Sequence, residues 1–147
     1  IAIAVEGSKH AALYILIAAL IGDTPEICIE NVPPISDIEF FMDYAVAAGA
    51  KVVHDRVAKK IHILSCITHN HIPTEFIYNC RSSLLALTIH AIRFGEVTIP
   101  LKFGGCKLGD RPIDQHILVW KAAGFSVEQK DGHITLRRVT KDPDGIA

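Results

Sequence analysis

The densest group of chemistry-bearing side chains lies in residues 103–116, which read Phe103-Gly104-Gly105-Cys106-Lys107-Leu108-Gly109-Asp110-Arg111-Pro112-Ile113-Asp114-Gln115-His116. Gly104, Gly105 and Gly109 admit backbone conformations that other residues resist, so the stretch reads as a mobile loop. Cys106 sits beside Lys107 and near Arg111, and cations next to a thiol stabilise its thiolate. Such a thiol can serve as a nucleophile or as a proton donor near neutral pH. The plainer alternative for Cys106 is a small loop filler. Arg111, Asp114 and His116 stand where a helix begins, and exposed N–H groups with a guanidinium alongside suit a phosphate. Asp114 reads equally as a first-turn carboxylate that complements the helix dipole.

Two further helix starts carry cations. Ser8-Lys9-His10 opens one apolar helix and Arg81-Ser82-Ser83 opens another, 72 residues downstream when Lys9 is set against Arg81. Each places a positive charge beside unsatisfied backbone donors. Either alone is also what a solvated lysine or arginine looks like; the recurrence favours anion binding. A competing group, His62, Cys66, His69 and His71, offers zinc-type ligands. Its spacing matches no standard ligand pattern, so no metal is expected. His54, His90 and His133 read as strand or helix-surface residues. Trp120, Phe40 and Phe41 fall on amphipathic faces and read as core.

The elements that must position these residues follow from turn and cap signals. A strand over 1–5 precedes a Ser8-capped helix to about residue 21, which is apolar almost all round and is expected to be buried on most sides. A strand over 26–31, a helix from 36 to about 48 stopped by Gly49, and a hairpin over 51–64 complete the first run. The same order returns with a helix over 81–94, a strand over 96–101, a helix that Pro112 opens and Gly124 ends, and a hairpin around Asp131-Gly132. Ala48-Gly49-Ala50 and Ala123-Gly124-Phe125 lie 75 residues apart. This spacing predicts two copies of one α/β unit, at about 1–64 and 77–138, within a single domain over 1–147. Two such units leave apolar helix surface uncovered, so a third unit or a partner is expected.

Composition narrows the class. The chain has 147 residues, half of them apolar, with 15 Lys and Arg against 16 Asp and Glu for a net charge of −1. That balance gives no broad basic face for nucleic acid. The longest apolar run, residues 11–21, is 11 long and too short to span a bilayer. Four cysteines without a Cys-x-x-Cys pair suggest a reducing, cytoplasmic setting. The start at Ile1 and the end at Ala147 read as a processed chain or a piece of something larger.

Taken together, several motifs resemble the UDP-N-acetylglucosamine enolpyruvyl transferase (1-carboxyvinyltransferase) family. Residues 7–20, Gly-Ser-Lys-His-Ala-Ala-Leu-Tyr-Ile-Leu-Ile-Ala-Ala-Leu, are similar to the family's opening Gly-Ser-Lys-Asn-Ala-Ala-Leu-Pro, with His10 for its asparagine and Tyr14 for its proline. Asn31-Val32-Pro33-Pro34-Ile35-Ser36-Asp37-Ile38, Pro73-Thr74-Glu75-Phe76 through Arg81-Ser82-Ser83, and Arg93-Phe94-Gly95 also resemble family motifs. The most specific is Gly104-Gly105-Cys106-x-x-Gly109-x-Arg111-Pro112-x-Asp114-x-His116.

The resemblance implies transfer of enolpyruvate from phosphoenolpyruvate to the 3-hydroxyl of UDP-N-acetylglucosamine, releasing phosphate through a tetrahedral intermediate. That is the first committed step of peptidoglycan synthesis, hence of cell wall biogenesis and cell shape, and it takes place in the cytoplasm. Cys106 would be the catalytic proton donor and adduct-forming thiol. Lys9 and His10 would contact phosphoenolpyruvate. Arg81, Arg111, Pro112, Ile113, Asp114 and Gln115 would hold the sugar nucleotide, with His116 in support. No cofactor is implied, and neither is nucleic acid or a membrane. The implied fold is an α/β inside-out barrel of βαβαββ units, about two of three units of one domain. The family's opposite domain, with its aspartate base, is not in this stretch, so the isolated piece is expected to turn over little without a complementary domain or chain. A shikimate-pathway transferase and a non-catalytic binding or assembly domain of the same fold are the alternatives.

Overall fold

The computed structural model describes residues 7–22, 26–102, 104 and 112–139. The expected strand over 1–5, together with Cys106 and Arg111, lies outside them.

Helix α1 (Lys9–Ile21) is capped by Ser8, whose hydroxyl accepts from the Ala11 N–H at 3.4 Å. Its buried side is Ala12, Leu13, Leu16, Ile17, Ala19 and Leu20. The opposite stripe, Ala11, Tyr14, Ile15 and Ala18, is exposed, which corrects the expectation of a helix buried on most sides. α1 packs against α2 (Ser36–Ala47), α4 (Ser83–Phe94) and the first sheet. Asp37 and Glu39 complement the dipole in the first turn of α2. Gly49 ends the α2 segment at φ +92°, where a Cβ would collide with Thr68 Oγ1.

The first sheet joins β1 (Ile27–Ile29), β2 (Lys51–Asp55) and β3 (Lys60–Ser65) in the order β1-β3-β2, all antiparallel. The second joins β4 (Glu96–Pro100), β5 (Phe125–Lys130) and β6 (His133–Arg138) in the order β4-β6-β5. Each central strand turns one face to the helices: Ile61 and Ile63 in β3, Ile134 and Leu136 in β6, all buried. The β5–β6 turn has positive φ at both Asp131 and Gly132, which matches the right-handed twist of the strands it joins.

Helix α3 (Thr74–Asn79) has no counterpart in the sequence reading. It carries Phe76 onto Tyr44, ring centroids 4.7 Å apart, with Phe41 edge-on to both. Two expectations about the core are corrected. Phe40 is 43% exposed, because it lies on the outward side of α2 while Phe41 points inward. His90, expected on a helix surface, is wholly buried between Tyr44 and Phe94. Asn70 explains how it can be: its amide N–H donates to the Glu96 carbonyl at 2.9 Å, leaving its oxygen to accept from His90 Nδ1 at 3.0 Å.

Arg93 binds the α1 end to α4, donating to the Ile21 carbonyl at 3.0 Å. Helix α5 (Asp114–Ala122) is fastened to α4 by its buried Trp120, whose indole N–H donates to Thr88 Oγ1 at 2.9 Å.

Candidate active site

The N-terminal ends of four helices, α1, α2, α4 and α5 (Asp114–Ala122), meet at one cleft of about 250 Å³, lined by Lys9, His10, Asp37, Arg81, Ser82 and His116 with apolar residues of α1 and α4. Lys9 and His10 are the first two residues of α1, which the Ser8 cap holds in helical geometry. Arg81 lies in the turn before α4 and does not open the helix itself. The Leu84 N–H bonds back to its carbonyl at 3.2 Å, a tight turn that ends where Ser83 begins the helix. His116 is in the first turn of α5.

The Lys9 ammonium is 3.0 Å from the Asp37 carboxylate, both side chains partly exposed. Partial burial, and then the nearby Arg81 guanidinium, hold His116 below the ordinary histidine range. Its Nδ1 is buried with no partner among the described residues. The cleft thus combines two cations, one of them paired with the Asp37 carboxylate, with the His116 imidazole near helix N-termini, a set suited to an anionic ligand.

The structure brings together Lys9, His10, Arg81 and His116. Gln115 faces a different hollow, a mostly apolar one of about 330 Å³ that it shares with His116, Tyr14, Trp120 and others. Asp114 is exposed at the first position of α5 and Ile113 caps it. Pro112 was expected to open that helix and does not. The first helical bond runs from the Ile117 N–H to the Ile113 carbonyl, so Pro112 precedes the cap. Sequence reasoning missed Asp37 and Ser82 as lining residues. Asp37 had a usable signal, since it lies within the Asn31–Ile38 motif, but nothing along the chain tied it to Lys9.

The alternative zinc group is not assembled. The Cys66 thiol donates to the Gly22 carbonyl at 2.6 Å, while His62 lies against Cys28 on the outer side of the first sheet. Among the described residues, no three His, Cys, Asp or Glu side chains are placed to hold a metal ion. None of the described helices is long and apolar enough to cross a membrane.

Helices packed under two antiparallel sheets, with Lys9 and Arg81 facing one cleft, define an α/β domain with a cation-bearing cleft. Its fold is that of the enolpyruvyl transferases: it superposes on the crystal structure of the enolpyruvyl transferase NikO from Streptomyces tendae with a TM-score of 0.75, at 21% identity, over 90% of this chain and 28% of that one. The family model for EPSP synthase (3-phosphoshikimate 1-carboxyvinyltransferase) matches residues 2–142, and the chain belongs to that family. Among its curated relatives is the UDP-N-acetylglucosamine 1-carboxyvinyltransferase of Fervidobacterium nodosum, 32% identical over 97% of this chain and 33% of its own length. Proteins of the same name from Prochlorococcus marinus (strain NATL1A) and Wigglesworthia glossinidia brevipalpis are 35% and 37% identical over 94% and 88% of this chain. The chain spans about a third of the length of these relatives.

Proposed function

We propose that this chain forms one wall of an enolpyruvyl transferase acting on phosphoenolpyruvate and UDP-N-acetylglucosamine, in the cytoplasmic opening step of peptidoglycan synthesis. The observation that carries the reading is the convergence of Lys9, His10, Arg81 and His116 on one cleft. The names of the relatives favour the amino-sugar substrate over the shikimate-type one.

In this reading Lys9 balances the charge of phosphoenolpyruvate, with His10 beside it. Arg81 and Arg111 face phosphate groups, and residues 112–115 hold the sugar nucleotide. The sugar 3-hydroxyl adds to C2 of phosphoenolpyruvate while Cys106 delivers a proton to C3. Loss of phosphate and of that proton from the tetrahedral intermediate then restores the enol ether. His116, whose burial and then the Arg81 charge lower its pKa, orients ligand. The aspartate base and the rest of the cleft come from a complementary domain or chain, which the one-third coverage of the relatives supports. Residues 1–64 and 77–138 are two copies of one unit within a single domain, a reading that the matching strand orders of the two sheets support.

The test is intact-mass and peptide mass spectrometry after incubation with phosphoenolpyruvate and saturating UDP-N-acetylglucosamine. A covalent adduct at Cys106, lost in Lys9→Ala and Arg81→Ala, is expected. A folded chain that forms none favours the second reading, a non-catalytic binding domain, for which His10 in place of the family asparagine is the specific observation.

A further inference from the structure

The outer face of the first sheet carries a thiol and an imidazole in direct cross-strand register, Cys28 of β1 opposite His62 of β3. Cys28 Sγ and His62 Nε2 are 3.8 Å apart, and Cys28 is exposed. One residue pair along the same face, the Lys60 ammonium bonds Glu30 at 2.5 Å. The second sheet supplies an internal comparison. There the register pairs Val97 with Leu136, Thr98 with Thr135 and Ile99 with Ile134, so the middle position holds two threonines whose hydroxyls bond at 2.8 Å. A sheet of this shape therefore closes with an ordinary polar pair at that position and does not need a thiol and an imidazole for packing. The other described cysteines differ from Cys28: Cys66 is half-buried with its thiol bonded to a carbonyl, and Cys80 is buried.

We propose that the Cys28–His62 pair is a thiol-modification site, away from the cleft, that takes hydroperoxides. His62 Nε2 accepts the thiol proton as the sulfur attacks the terminal peroxide oxygen. The O–O bond breaks, and the departing oxygen takes the proton back from the imidazolium to leave as water or an alcohol. The sulfur is oxidised by two electrons to a sulfenic acid and the peroxide is reduced by the same two. Lys60 steadies the developing thiolate.

Hydrogen peroxide with dimedone trapping and peptide-resolved mass spectrometry tests this on the whole chain. Cys28 is expected to trap at least about tenfold faster than Cys66 or Cys80, and His62→Thr, which copies the second sheet, to slow Cys28 about fivefold with Cys106 unchanged. If His62→Thr does not fold, the reverse transplant decides. Thr98→Cys with Thr135→His should then trap about fivefold faster than Thr98→Cys alone. Equal rates with and without the histidine, in whichever pair of variants folds, would mean that exposure alone governs Cys28 and would overturn the proposal.

Discussion

Lys9 at the start of α1 and Asp37 in the first turn of α2 are ion-paired at 3.0 Å across the mouth of the cleft. The carboxylate holds the ammonium over the cleft and at the same time offsets part of its charge. Because both side chains are partly exposed, the pair contributes less than about 1 kcal/mol to folding. Asp37→Asn should therefore leave the denaturation midpoint nearly unchanged while tightening phosphoenolpyruvate about threefold at low salt. Lys9→Ala should weaken it about tenfold. Titration calorimetry at two ionic strengths reads both, and the Asn gain should shrink as salt rises.

His90 makes stability depend on acid. Burial, and then the charge of His71, push its pKa from the ordinary 6.5 down to about 4. Between those values the unfolded chain takes up a proton that the folded chain refuses, so stability is full above 6.5 and falls as pH drops toward 4. The loss from this group is at most about 3 kcal/mol and stops below its folded pKa. Urea midpoints at about pH 7 and about pH 4.5 should converge for His90→Gln relative to the parent, since glutamine does not titrate. Equal pH-dependent losses in both proteins would refute the assignment.

Trp120 is the chain's one tryptophan, and it is buried with its N–H on Thr88. Thr88→Val keeps the shape but strands that N–H, which should cost about 1–3 kcal/mol, whereas Thr88→Ser should cost less. Tryptophan fluorescence follows unfolding directly, and equal midpoints for the valine and serine variants would show that the bond contributes nothing.

Several local signals were readable where one residue sets one conformation, although Pro112 precedes the helix it was expected to open. Ser8, Gly49 and the Asp131-Gly132 turn stand where the sequence places them, because caps and tight turns depend on near neighbours. Helix α3 was not readable. It has six residues, no side-chain cap and too few turns to show a period. Phe40 and Phe41 are chemically equivalent along the chain, and only the packing of α2 decides which faces the core. His90 reads as polar in sequence, and its burial depends on Asn70, twenty residues away.

The sequence by itself determined the family, the order of the described elements apart from helix α3, and the helix starts that carry Lys9, His10 and His116; those elements rest on short-range backbone and side-chain preferences. Only the tertiary structure decided that Asp37 joins Lys9, that His116 shares a cleft with Arg81, and that Cys28 meets His62. Each of those pairings links residues at least 28 positions apart in the chain. Such distances between atoms are set by how helices and strands pack, and no local pattern encodes them.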